Sequence, residues 1–99
     1  MSYKLSVEAK KDLQNIWLYS LETWSIDQAD RYIKLLIDEM EYLAINPETG
    51  KVLNHIRKDY LCSKVKSHLI FYRKLKKKKT IEIIRILHQR MDFATRLKI

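Results

Sequence analysis

The single proline and the single glycine of this chain, Pro47 and Gly50, lie three residues apart near its midpoint. Both residues break regular structure, so the 46 residues before them and the 49 after Gly50 are free of the strongest breakers. The two halves then read differently. Before Pro47 the apolar residues recur at helical spacing, and after Gly50 they fall into short alternating runs. A chain divided this way folds as segregated helices and strands around one core, an α+β domain.

Tyr3 to Leu5 is a short β-prone opening. Ser6 has the chemistry of an N-cap, and Glu8 complements the positive helix end. Ala9, Leu13, Ile16, Trp17, Ser20 and Trp24 share one face of a helix over about 7–23. Trp17 and Trp24 are read as core residues of that face. Trp24-Ser25-Ile26-Asp27 is a short break, with Ser25 or Asp27 as the next cap. Ala29, Ile33, Leu36, Ile37, Met40, Leu43 and Ala44 then mark a broad apolar face. Asn46-Pro47 ends it, because proline disfavours the helical conformation in the residue before it. So short a link between the helices implies an antiparallel hairpin.

Asn46 to Asp59 reads as a loop with one helical turn near Val52 to Ile56. Three β-like runs follow, about Tyr60–Val65, His68–Leu75 and Thr80–Leu87, with connections short enough for an antiparallel meander. The lysines from Lys76 to Lys79 read as a solvated hairpin tip. Strict alternation places Leu69, Phe71 and Leu75 opposite Ile70 and Tyr72. It likewise places Ile81, Ile83 and Leu87 opposite Ile84 and Ile86. Both sheet faces are partly apolar. The helical hairpin covers one, leaving the other to the tail (Met91, Phe93, Leu97, Ile99) or a partner. The expected order is β-α-α-β-β-β: an N-terminal strand and a helical hairpin packed on a twisted antiparallel sheet, in one domain spanning 1–99.

Charge narrows the function. Twenty basic and twelve acidic side chains give +8. Residues 1–50 carry five basic against nine acidic (−4), and residues 51–99 fifteen against three (+12). One basic half suggests an acidic partner: nucleic acid, a nucleic-acid enzyme or an acidic protein. The lone Cys62 cannot close an internal disulfide and reads as a small apolar strand residue, consistent with a reducing compartment. With no signal-like apolar segment and no membrane-length run, a cytoplasmic location is expected. His55, His68 and His88 lack zinc-motif spacing, and one glycine cannot build a phosphate loop. Neither metal nor cofactor is expected.

The strongest chemical cluster is Arg85-Ile86-Leu87-His88-Gln89-Arg90-Met91-Asp92, where an apolar strand ends in cationic residues. RNA cleavage through the 2′-hydroxyl needs a base, an acid and cations around the phosphorane. Arg85, His88 and Arg90 have that chemistry, with Tyr60, Lys64, Lys66 and Arg73 as candidates across the sheet, but spacing alone does not show them converging. Arg85 has a structural alternative as the partner of Glu82 or Asp92.

Several stretches in order make the chain resemble the RelE/ParE superfamily of type II toxins, and within it the ParE branch. They are Tyr3-Lys4-Leu5-Ser6 with Ala9 and Asp12-Leu13, Trp24 with Gln28-Ala29 and Tyr32, and Leu43-Ala44-Ile45-Asn46-Pro47 with Gly50-Lys51. Ser67-His68-Leu69-Ile70-Phe71-Tyr72-Arg73 and the Arg85–Asp92 stretch complete them. Ser25 replaces a usual glycine and Lys51 a common arginine. The resemblance implies a non-enzymatic poison of DNA gyrase, neutralised by an acidic ParD-like antitoxin in a hetero-oligomer. The alternative it leaves is a RelE-like ribosome-dependent mRNA endonuclease, with Arg85, His88 and Arg90 catalytic. A third reading is an interaction domain without toxicity, a decoy for the antitoxin. In the gyrase reading the expected target contacts are Arg85, His88 and Arg90, with Lys64, Lys66 and Arg73 around them.

Overall fold

A computed structural model describes residues 2–76, 79–91 and 93–97. The order is β1 (Ser2–Leu5), α1 (Val7–Thr23), α2 (Ile26–Ile45), a 3-10 turn (Pro47–Thr49), β2 (Lys51–Val52), β3 (Leu61–Val65), β4 (His68–Leu75), β5 (Thr80–His88) and α3 (Phe93–Arg96). The caps fix the helix starts. Ser6 Oγ accepts the Ala9 N–H at 3.0 Å, and Ser25 Oγ accepts that of Gln28 at 3.1 Å. Ser25 is therefore the second cap, and Asp27 is the first-turn acid that favours the helix dipole. Leu53 C=O accepts the N–H groups of Ile56 and Arg57, both at 2.9 Å, which makes one tight turn here; of the loop expected over Asn46 to Asp59, Pro47–Thr49 is a 3-10 turn and Val52 belongs to β2.

The five strands form one sheet in the order β1-β5-β4-β3-β2. β3, β4 and β5 are the expected antiparallel meander, and the two-residue β2 extends it beyond β3. The sheet is mixed rather than wholly antiparallel, because β1 pairs parallel with β5, Tyr3 opposite Ile81 and Leu5 opposite Ile83. A chain that reverses at each connection from β1 through α1, α2, β2, β3 and β4 reaches β5 running the way it started.

The helical hairpin covers one sheet face. Ala9, Ile16, Leu36, Met40 and Leu43 pack there against Ile70, Tyr72, Ile81, Ile83 and Ile86. On the other face Phe71 and Leu87 meet Leu53 and the tail residue Leu97, with Ile56 and Leu69 partly buried beside them. The tail thus does cover the second face through Leu97. Of the other expected tail residues, Met91 is exposed, while Ile99 and the side chain of Phe93 lie outside the described residues, as do Lys77 and Lys78 of the lysine run.

Two further expectations need correction. Strict alternation fails in β5 because of a bulge: Phe71 opposes Arg85 and Tyr72 opposes Ile83, leaving Ile84 without a partner. A bulge residue switches the facing of everything after it. Ile81 and Ile83 therefore face the helices together with Ile86, while Leu87 joins the opposite core. The other correction concerns Trp24, which caps the C-terminal end of α1 and is 71% exposed rather than buried. Trp17 is half-buried, and its Nε1–H donates to Asp30 at 3.0 Å, tying α1 to α2.

Candidate functional site

The meander brings the start of β4 and the end of β5 together, so that His68 and His88 sit directly opposite each other. Both belong to the helix-facing side, but the apolar core stops short of them. The helical hairpin and this end of the sheet leave a cleft of about 970 Å³ between them. Tyr32 enters it from α2 and makes an edge contact with His68 at 5.4 Å between ring centroids. His68 meets His88 in the same manner at 5.3 Å.

Hydrogen bonds tie this ring cluster together. Tyr32 Oη lies 2.6 Å from His68 Nδ1 and 3.4 Å from Val65 C=O. The direction of the shorter bond follows the His68 tautomer: Nδ1 accepts the hydroxyl proton, or Nδ1–H donates to Oη while the hydroxyl bonds to Val65 C=O. His88 Nδ1 accepts the backbone N–H of Arg90 at 3.2 Å, which leaves Nε2 as its N–H. Burial pushes the His68 pKa down to about 4, helped by neighbouring His88 and opposed by Asp12. His68 is therefore neutral at pH 7. Burial raises the Tyr32 phenol, against the Ser67 N–H that its oxygen accepts. No buried side-chain nitrogen or oxygen among the described residues lacks a partner.

Arg85 and Asp12 form one wall. Arg85 Nε and Nη2 donate to the two Asp12 oxygens at 2.8 and 2.9 Å, and Nη1 donates to Arg96 C=O at 3.2 Å. This bidentate bond holds the Arg85 pKa above its ordinary value. The pair has a local cause. β1 ends at Leu5, so β5 loses its strand partner beyond Ile83. Ser6 takes over, with its N–H on Ile83 C=O and its Oγ–H on Ile84 C=O. Asp12 then accepts the Ile86 N–H at 2.9 Å. Side chains of the first helix complete a strand edge that β1 leaves open.

The six expected target residues do not converge. Arg85, His88 and Lys66 line the cleft, Lys66 from a turn where its φ is +54°. Arg90 is exposed just after β5. Arg73 opposes Glu82 and pairs with it at 2.9 Å. Lys64 opposes Leu69 and, like Arg73, stands on the sheet face away from the helices. The partner of Arg85 is Asp12 rather than Glu82, while Asp92 lies outside the described residues. Reading the sequence for catalytic groups passed over Tyr32, Arg31 and Asp12 as site residues, and weighed His68 only as a metal ligand, a role its spacing ruled out. Their signal was positional: a histidine opening β4 and another closing β5 must meet in an antiparallel pair.

Among the described residues, no group of three or more His, Cys, Asp or Glu side chains gathers as a metal ion would need. Burial pushes the Cys62 thiol up to about 11, far from a reactive thiolate. No helix among them is long and apolar enough to cross a membrane.

Comparison with known proteins agrees with this architecture. Residues 3–93 match a family model described as the ParE toxin of the type II toxin–antitoxin system parDE. Toxin ParE1 of Mycobacterium tuberculosis is 38% identical over 90 residues, covering 91% of each chain. Toxin ParE1 of Caulobacter vibrioides is 38% identical over 95 residues, 96% of each chain. A solved structure described as the chromosomal ParDE toxin–antitoxin system from P. aeruginosa shares the fold, with a TM-score of 0.75 at 19% identity, covering 89% of this chain and 95% of that one. On the family match and on these relatives, the chain belongs to the ParE toxin family of type II toxin–antitoxin systems.

Proposed function

We propose that this ParE toxin acts on DNA gyrase as a binding poison, holding the enzyme on broken DNA, and that an acidic ParD-like antitoxin neutralises it in a hetero-oligomer. The bidentate commitment of Arg85 to Asp12 carries the choice of a binding role over RNA cleavage. An endonuclease needs an acid, a base and free cations around one phosphate. Here the strand arginine is spent on a carboxylate, Arg73 is spent on Glu82, and His68 is held neutral. In the His88 bond to the Arg90 N–H, Nδ1 already has a proton donor. The groups that remain to meet a target are Lys66, His88 and Arg90, with Lys64 further out. Arg85 shapes the cleft beneath them. The +12 balance of residues 51–99 supports both partners, because it favours an acidic antitoxin and a gyrase–DNA complex alike.

The test is a supercoiling and cleavage assay with purified gyrase, ATP and relaxed plasmid, with the toxin alone and with its antitoxin. Loss of supercoiling with linear DNA accumulating, relieved by antitoxin, is the expected result. Unaffected gyrase, together with cuts at fixed positions in translated messages, would move the function to the ribosome.

A further inference from the structure

We propose that the cleft between the helical hairpin and the His68–His88 end of the sheet binds a short segment of single-stranded DNA, with Trp24 and Tyr19 stacking on bases and Arg31, Lys66 and Arg96 holding phosphates.

Five observations meet here. Trp24 is 71% exposed and Tyr19 is 67% exposed, and both line the cleft instead of the core. Water-facing aromatic rings on a concave surface are stacking platforms, and every base has a face to offer them. Arg31, Lys66 and Arg96 line the same cleft and make no ion pair among the described residues. Asp12, the acid among the described lining residues, is already neutralised by Arg85. The floor holds the rings of His68 and His88, and the Arg90 N–H occupies Nδ1 of His88, so its Nε2–H can donate to a phosphate oxygen or a base carbonyl. The volume, about 970 Å³, is at the upper end for small-ligand pockets. A duplex keeps its base faces stacked inside, so only a single strand can offer them to the rings. Lys76 and Lys79, between β4 and β5, lie at the other end of those strands.

An acidic peptide is the competing occupant, since it too meets cations. A peptide can lay apolar side chains on the rings, but bases match their flat faces by stacking, and two such rings on one cleft favour the nucleic acid.

The test is fluorescence anisotropy of a labelled oligothymidylate of about 12 nucleotides with the full chain, across a salt series. Three phosphate contacts predict a slope of log K against log salt near −2 for a single strand, at ~0.7 per contact. Trp24→Ala should weaken binding about 5- to 100-fold, the cost of one lost stack. Trp24→Phe, which keeps a ring, should restore most of it. Arg31→Ala should flatten the salt slope by about 0.7. Lys76→Gln with Lys79→Gln at the far tip should leave Trp24-dependent binding intact. Thermal midpoints within error of the parent show that each variant is folded. The proposal is overturned if Trp24→Ala binds like the parent, if the tip variant loses as much as Trp24→Ala, or if a duplex of equal length binds as tightly. Displacement by a polyglutamate peptide of matched charge would also overturn it, in favour of an acidic peptide. No gyrase is present in the assay, so its failure leaves the gyrase reading standing.

Discussion

Asp12 accepts three hydrogen bonds, two from Arg85 and one from the Ile86 backbone. Its side chain is 11% exposed and that of Arg85 is 19% exposed, so the pair sits where losing one partner strands the other. Asp12→Ala is expected to destabilise the fold by about 2–4 kcal/mol, because it leaves both a guanidinium and a backbone N–H unsatisfied. Arg85→Ala should cost less, since Asp12 keeps the Ile86 N–H, and the double variant should fall well short of the sum. Urea denaturation of the three variants measures this, and strict additivity would mean that the pair is not coupled. His68 gives a second expectation. Its folded pKa of about 4 lies below the ordinary 6.5, so the unfolded chain takes up the proton first. Stability is then full above about pH 6.5 and falls as the pH drops toward 4. Screening at a half-buried ring limits the loss to about 1–2 kcal/mol. Denaturation midpoints between pH 4 and 7 should fall less steeply for His68→Gln than for the parent, and equal slopes would remove His68 as the cause.

Among the elements, the loop at Pro47 and Gly50 is held by one buried side chain. Tyr72 Oη donates to Pro47 C=O at 2.8 Å and accepts the Gly50 N–H at 3.0 Å. Burial pushes its pKa up to about 12, so the hydroxyl stays protonated and able to donate. Gly50 has an ordinary φ of −71°, and its requirement is space: a Cβ there would collide with the Tyr72 hydroxyl and ring. Gly50→Ala should therefore cost about 1–3 kcal/mol by overpacking, with part of that cost returning in the Gly50→Ala, Tyr72→Phe pair once the hydroxyl is gone. Thermal midpoints of both test it, and an unaffected Gly50→Ala would show that the loop yields freely. The elements themselves were legible because their signals are local. Ser6 and Ser25 announce the helix starts, Asn46-Pro47 announces the stop, and the alternation in β4 names its two faces. What escaped was set by contacts distant in sequence. The bulge at Ile84 exists only against Tyr72 and Phe71. β1 finds β5 across 78 residues, as the Ser2–Thr80 hydroxyl contact records. Trp24 keeps helical spacing, yet it stands where α1 has run past the core. For the same reason a list of cationic residues did not separate free cations from bound ones: Arg73 was counted without Glu82, and Arg85 was matched with Glu82 or Asp92 instead of Asp12.

On the scale of the whole molecule, the negative balance of residues 1–50 belongs largely to the helical layer and the positive balance of residues 51–99 to the sheet and tail. A molecule polarised this way meets an acidic target in a preferred orientation, and encounter slows as salt screens the field over a Debye length of about 8 Å at physiological strength. Within the basic half the cations are not equivalent. Arg73 is bound to Glu82 and Arg85 to Asp12, whereas Lys66 at the β3–β4 turn and Arg90 after β5 are exposed with no ion pair among the described residues. If the free cations meet the target as proposed, reversing one removes that contact and leaves the fold alone. Reversing a bound one places two acids side by side. Lys66→Glu and Arg90→Glu are thus expected to lose gyrase poisoning by tenfold or more, roughly 1.4 kcal/mol or above, at unchanged thermal midpoints. Arg85→Glu should lose poisoning together with stability. Supercoiling inhibition and thermal unfolding measured on the same three samples separate these cases. If Lys66→Glu and Arg90→Glu remain full poisons, the contact surface lies elsewhere than the free cations beside the cleft. If Arg85→Glu stays stable but harmless, that arginine meets the target directly and Asp12 merely holds it in place beforehand.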